Sequence, residues 1–148
     1  MRRVTFVKLV AVLSTAFAAA CGIFEPEDVD ELGDARLRWE LLGFTSYEYR
    51  LTRFCFCITR PYLIRVIDGR VVEVRDAETG VVQPDYDWAE TVPELFDMIV
   101  DAMDRDAESL VVEYHPQLGY PTQISIDYEA MIADDEITVR AEALRSLR

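Results

Sequence analysis

Residues 47–57 restrict the possible folds of this chain more than any other segment. They read Tyr-Glu-Tyr-Arg-Leu-Thr-Arg-Phe-Cys-Phe-Cys, the longest run of strand-type composition in the sequence. In a β-strand, Tyr47, Tyr49 and Leu51 would share one face, and polar side chains would begin the other. The last residues of the run are apolar on both faces. The pattern therefore predicts a strand that is covered on both sides at its end, or one with a bulge near Arg53.

A first amphipathic helix is expected before this strand. The spacing of apolar residues predicts a helix over residues 35–42, with Asp34 as its N-cap and Gly43 as its stop. Alternatively, the helix begins near Asp28 and tolerates Gly33. The predicted apolar stripe consists of Leu32, Ala35, Trp39 and Leu42.

A second helix is marked by Thr91-Val92-Pro93-Glu94. This is a capping box, in which Thr91 accepts from the third amide of the helix and Glu94 reaches back to the cap. Proline in the first turn removes only an N–H that has no partner there. The pattern predicts a helix that continues to about Arg105.

The remaining alternating runs predict an antiparallel sheet. Asp68-Gly69 is the strongest hairpin signal in the chain. The predicted strands are residues 47–58, 63–67, 70–75, 110–115 and 123–128, and a last, edge-like strand from Ile137. We therefore predict an α+β fold with about six antiparallel strands, in the order α-β-β-β-α-β-β-β, with two helices on one face.

The N-terminus predicts export. Three basic residues precede an apolar run at residues 9–20, which is too short to span a bilayer. Ala18-Ala19-Ala20-Cys21 resembles a bacterial lipobox, in which the cysteine is acylated and becomes the new N-terminus. Alternatively, the chain is cleaved after Ala20 and secreted. We divide the chain into a lipoprotein signal peptide (1–20), a lipidated N-terminus with an acidic tether (21–33) and one α+β domain (34–148).

Lipidation would decide where the protein lies. Fatty acids such as palmitate on Cys21 would hold it at a membrane, because two or three acyl chains anchor firmly where one does not. Gly22 stands where an aspartate would signal retention in the inner membrane. We expect a position in the cell envelope, facing the periplasm or the exterior, with the outer membrane favoured in a Gram-negative source.

The charge of the chain excludes one class of partner. The leader carries three of the 15 basic residues and none of the 28 acidic ones, so the mature part is more acidic than the net charge of −13 implies. Nucleic-acid binding requires a basic patch, and we expect none. A cationic partner is compatible with such a surface, and so is a merely solvated acidic one.

Several motifs together resemble one family. They are Trp39 before Ser46-Tyr47-x-Tyr49, Cys55-Phe56-Cys57, Val66-x-Asp68-Gly69-x-Val71, Thr91-Val92-x-Glu94-Leu95-Phe96, Tyr114-x-Pro116-x-x-Gly119-Tyr120-Pro121, Ile124-x-Ile126-Asp127 and Ala133-Asp134-Asp135-Glu136. This set is similar to DUF6174, a family of bacterial lipoproteins of unknown function. The resemblance implies export and lipidation and no activity. His115 stands where the family more often has aspartate.

Cys55 and Cys57 are the sharpest candidates for chemistry. In an oxidising compartment two neighbouring thiols seldom stay reduced. In a regular strand their Cα atoms would lie about 6.5 Å apart, near the upper limit for a disulfide, so a bond between them would be strained. The pair is a structural disulfide or buried thiols, a redox pair, or two thiolate ligands for a metal such as Cu(I) or Zn(II).

The loop His115-Pro116-Gln117-Leu118-Gly119-Tyr120-Pro121 is a possible binding loop. Its candidate residues are His115, Gly119, Tyr120 and Pro121. One histidine allows no Ser/His/Asp arrangement, and we identify no cofactor. We therefore expect a non-catalytic binding or scaffolding module with a possible protein partner in the envelope. The alternative is a thiol redox or metal-handling protein that uses Cys55 and Cys57.

Overall fold

Two helices and six strands follow one another in a computed structural model that describes residues 26–54, 59–129 and 136–147. They are α1 (Pro26–Leu42), β1 (Tyr47–Phe54), β2 (Pro61–Ile67), β3 (Arg70–Asp76), α2 (Val92–Asp104), β4 (Ser109–Tyr114), β5 (Pro121–Asp127) and β6 (Ile137–Ser146). The strands form one antiparallel sheet. The predicted α+β class, with a six-stranded antiparallel sheet and two helices, is confirmed. The predicted signal peptide and Cys21 lie outside the described residues.

The position of β6 differs from the prediction. The strands lie in the order β3-β2-β1-β6-β5-β4, so β6 is central and pairs with both β1 and β5. The predicted edge position is therefore wrong. Alternation along a strand shows which face is buried, but it does not show which strands lie on either side.

One face of the sheet carries the core. Tyr47, Tyr49 and Leu51 are almost completely buried, as the alternation in β1 predicts. Their neighbours on that face are Ile64, Val66, Val74, Ile124, Ile126, Val139 and Ala141. Each buried large apolar side chain stabilises the fold by about 1.5–3 kcal/mol relative to an exposed one. The register shift seen in β1 lies between Glu48 and Arg50, earlier than the predicted bulge near Arg53.

Both helices contact side chains of this face. The Trp39 ring of α1 meets the Tyr47 ring edge-on, with centroids 5.2 Å apart. The Phe96 ring of α2 stacks on Tyr114 of β4 at 6.3 Å. Arg36 of α1 also donates to Asp97 of α2 across 3.1 Å, so the two helices are bonded to each other above the sheet.

Helix α1 begins earlier than Asp34. It starts at Pro26, so residues 26–33 of the predicted tether are helical, and the alternative start near Asp28 is the closer one. Proline at the first position, followed by acidic residues, is typical of a helix start. Gly33 lies inside the helix at a cost of about 1 kcal/mol. Neither described helix is long and apolar enough to cross a membrane.

The two strongest local signals are confirmed. Thr91 caps α2, its side chain accepts from the Glu94 N–H, and the Glu94 carboxylate accepts from the Thr91 N–H. Between β2 and β3, Asp68 and Gly69 both have positive φ, at 48° and 74°. Two such residues make the type I′ turn that suits the twist of paired strands.

Candidate functional site

Gly119 brings the β4–β5 loop into contact with α1. Its φ is +79°, and an added Cβ would lie 2.2 Å from the carbonyl oxygen of Ala35. Only glycine allows both this backbone conformation and this approach. The predicted binding loop is therefore held against the helix by its own backbone.

Aromatic packing fixes the rest of this loop. Tyr120 is buried, meets the Trp39 ring edge-on at 6.5 Å and stacks on the His115 ring at 5.1 Å. The Nδ1 atom of His115 accepts from the N–H groups of Gln117 and Leu118, at 3.3 and 3.1 Å. A neutral imidazole that accepts at Nδ1 carries its proton on Nε2. His115 thus keeps a hydrogen-bond donor that the loop's own bonds do not use.

His115 and Tyr120 line an open groove of about 590 Å³. One wall is the β4–β5 hairpin, where Glu113, Thr122 and Gln123 join them, and the other is formed by residues 140–144 of β6. We call this cavity the β5–β6 groove. Its volume is within the roughly 300–1,000 Å³ that is usual for ligand sites.

The groove exists because β5 and β6 separate. Their described pairing runs from Ile126 opposite Ile137 to Gln123 opposite Arg140 and ends there. Beyond this point β6 still pairs with β1, as far as Ser146. The start of β5 turns instead toward β4, where the Thr122 hydroxyl donates to the Glu113 carbonyl across 3.0 Å.

The β6 wall of the groove contains a strained residue. Ala143 has φ +53°, in the left-handed region, at the register shift between β6 and β1. This conformation costs an L-residue about 1–2 kcal/mol. Asp68 and Asp106 also have positive φ, but aspartate tolerates it through local hydrogen bonds and alanine has no such compensation.

The groove is lined by two carboxylates and by one arginine that contacts its neighbours. Glu113 and Glu142 line it on the face of the sheet opposite the core, together with Gln123 and Arg140. The Arg140 Nε donates to the Gln123 side chain across 3.0 Å, and its guanidinium lies 5.3 Å from the Phe54 ring centroid. Two carboxylates and several hydrogen-bonding groups therefore face the opening.

The side chain of Tyr120 is an uncharged phenol. Burial raises the pKa of Tyr120 above its ordinary value, although a hydrogen bond with the Leu144 backbone opposes this shift. A tyrosine with its ordinary pKa near 10 is already protonated at neutral pH, and burial extends this to more alkaline pH. The residue contributes a ring, a hydroxyl and a contact between the loop and β6.

A second polar cluster, which the sequence did not reveal, joins β1 to the start of α2. The Val92 N–H donates to the Tyr47 hydroxyl across 2.9 Å, and the Tyr49 hydroxyl donates to the Glu90 carbonyl. Arg53 donates to the Glu90 carboxylate. Burial raises the pKa of Tyr47 to about 12, raises that of Tyr49 well above its ordinary value, and raises that of Glu90 despite Arg53 beside it. These groups hold α2 on the sheet.

The predicted site residues fall into two groups. Cys55 and Cys57, like Cys21, lie outside the described residues, so their roles stay predictions. His115 and Tyr120 lie at the β5–β6 groove, whereas Gly119 and Pro121 are buried beside it. The described ranges contain no cluster of three or more His, Cys, Asp or Glu side chains that could hold a metal ion.

The β6 wall of the groove was not anticipated. Arg140 and Glu142 lie far along the chain from His115, and their only local signal is the polar half of an alternating strand. They join His115 because β6 is central and β5 leaves it. No spacing within the sequence reports that separation.

Comparisons with known proteins give one result. A family model described as "Family of unknown function (DUF6174)" matches residues 31–146. No curated protein matches the chain, and no solved structure does. The matched region includes all six strands, α2 and both walls of the β5–β6 groove.

Proposed function

The chain belongs to the DUF6174 family, whose function is unknown, and we propose that it is a non-catalytic binding module of the bacterial cell envelope. In this proposal a lipid on Cys21 holds the protein at the membrane, and the β5–β6 groove binds a protein partner. The lipid and the groove have separate support and are tested separately.

The observation that carries the binding role is the strained backbone of Ala143 in the groove wall. A non-glycine residue in the left-handed region persists only where its surroundings over-determine it, and such strain concentrates at binding and active sites. Here the strain accompanies the point where β6 keeps its pairing with β1 and loses β5. The opening between the strands is thus maintained at a cost, which favours a function for it.

The chemistry of the groove favours holding a ligand over transforming it. His115 already accepts two backbone hydrogen bonds at Nδ1. The Tyr120 phenol, whose pKa burial raises further above neutral, is protonated and a poor nucleophile. Glu113 and Glu142 supply fixed negative charge instead, which suits recognition of a cationic partner.

The proposed anchor would place the domain close to the bilayer. Helix α1 begins at Pro26, only five residues after Cys21. Five residues span at most about 17 Å even when fully extended. A partner would therefore be met near the membrane surface, where the acidic domain itself has no attraction for anionic lipid.

The anchor is tested by metabolic labelling with an alkyne analogue of palmitate. We expect labelled protein in the membrane fraction, and we expect Cys21→Ser to lose both the label and the membrane association. Cys55→Ser is the matched control and should retain both, with label measured per amount of protein. Secretion of the unlabelled wild type would contradict lipidation and favour simple cleavage after Ala20.

The binding role is tested with a photo-crosslinking amino acid, p-benzoylphenylalanine, in living cells. Placed at Thr122, inside the groove, it should give a discrete crosslinked species. Val81, which is exposed on the loop after β3, is the matched control and should give none. Equal patterns from both positions, or no species from Thr122, would refute a partner in the groove.

A further inference from the structure

We infer that the β5–β6 groove takes an extended, basic peptide segment of the partner, which adds a strand to the free edge of β6. This inference rests on the proposed binding function and specifies the ligand of the same groove. It follows from three features: an ordered strand edge, two strand walls that diverge, and the charges on one face of the opening.

The strand edge is the first feature. Past Arg140, β6 keeps its pairing with β1 as far as Ser146, with the register shift at Ala143 between them, while the β5 ladder has ended. Alternate residues of such a strand direct their N–H and C=O groups away from the paired side. An edge of this kind is a template for another strand. Residues 140–144, which line the groove, offer a length of about 17 Å.

The hairpin wall is the second feature. Tyr120 of the loop and Leu144 of β6 both line the groove, so the loop bounds the far end of the edge. At the near end, Gln123 opposite Arg140 closes the gap between β5 and β6. The segment that pairs with this edge is therefore short and lies between these two limits.

The charges are the third feature. A strand in the groove points alternate side chains to opposite faces of the sheet. On the open face they would meet Glu113 and Glu142, and on the other face Tyr120 and Leu144. The two carboxylates outnumber Arg140, which contacts Gln123 and Phe54, so the open face favours arginine or lysine. The expected segment alternates basic and small apolar residues.

The experiment uses the purified mature protein in detergent micelles and a fluorescent tetrapeptide, acetyl-(Arg-Val)₂-amide, which is about 13 Å long when extended. We expect saturable binding by fluorescence anisotropy. Two methylated peptides are compared, one with N-methyl groups on the arginines and one with N-methyl groups on the valines. At least one of them should bind about tenfold more weakly, because each methyl group removes a backbone hydrogen bond donor from the added strand. The peptide (Glu-Val)₂ should not bind.

Protein variants test the charges. Glu113→Gln and Glu142→Gln should each weaken binding of the arginine peptide several-fold and reduce its dependence on salt. Glu31→Gln, on the exposed surface of α1, is the matched control and should bind like wild type. Unchanged binding in the double variant of Glu113 and Glu142 would overturn recognition of a basic segment.

Three other outcomes would also overturn the inference. No binding of the arginine peptide, or binding of both methylated forms as tight as that of the unmethylated peptide, would exclude pairing with the β6 edge. A dimer in sedimentation that the double variant of Glu113 and Glu142 dissociates would assign the groove to a second copy of this chain. If crosslinks from Thr122 persist in these cases, only the inference fails; if they are also absent, the proposed binding function fails with it.

Discussion

Replacing Gly119 with alanine adds one methyl group where the β4–β5 loop meets α1. The new Cβ would lie 2.2 Å from the carbonyl oxygen of Ala35 and 2.9 Å from the Cβ of Arg38. The nearer obstacle is helix backbone, which no side-chain rotation can remove. The loop must therefore move away from α1, and Tyr120 must move with it.

Two costs add up in this variant. A left-handed alanine costs about 1–2 kcal/mol, and overpacking of a tight contact typically costs about 1–3 kcal/mol. We expect Gly119→Ala to lower the free energy of unfolding by about 2–5 kcal/mol. Gly80→Ala is the matched control: its φ is +74° and nothing lies within 4 Å of an added Cβ, so it should show only the first cost.

Urea unfolding, followed by circular dichroism and tryptophan fluorescence, measures the free energy of unfolding of these two variants and of a third. Gly33→Ala completes the set, because Gly33 lies within α1 with open space around an added Cβ, and it should stabilise the protein by up to about 1 kcal/mol. The expected order of stability is Gly33→Ala, wild type, Gly80→Ala, Gly119→Ala. If Gly119→Ala is no less stable than Gly80→Ala, contact with α1 does not hold the loop.

Three further predictions concern stability. The pKa of Tyr47 in the folded protein is about 12, against an ordinary value near 10. The buried neutral phenol therefore contributes fully to the free energy of unfolding below pH 10, and this contribution is lost as the pH rises to 12. Tyr47→Phe should therefore remove about 2–3 kcal/mol of the alkaline loss in urea-unfolding free energy; an unchanged pH profile would argue against the burial of this phenol. Thr91→Ala should cost about 1 kcal/mol through loss of the α2 cap, whereas Thr91→Ser should cost little, and equal losses would show that the methyl group matters instead. Ala143→Gly should stabilise the fold by up to about 1 kcal/mol in thermal and urea unfolding, because glycine relieves the left-handed strain; a clear loss of stability would contradict that strain.

Signals that depend on near neighbours in the chain predicted their structures well. The capping box at Thr91 requires four successive residues, and the turn at Asp68 requires two. The alternation in β1 likewise identified the buried tyrosines. Each of these patterns acts through contacts that the chain makes within a few residues, so its consequence can be derived from the local sequence.

The candidate site could be predicted only in part. His115 and Tyr120 stood out because an aromatic loop with glycine and proline is unusual, and both line the groove. Glu142 and Ala143 did not stand out, because they join the site only through the central position of β6. The Arg53–Glu90 pair was also missed, since the two residues lie 37 positions apart and no pattern links them.

By itself, the amino-acid sequence determined the two helices, the hairpin at Asp68-Gly69, the buried face of β1 and the acidic character of the protein. These properties follow from periodicity, caps, turns and charge, each of which can be summed along the chain. Only the tertiary structure decided that β6 lies between β1 and β5, and that β5 leaves it after Arg140. Strand order depends on which distant faces pack best together, so the groove between those strands is a property of the folded sheet.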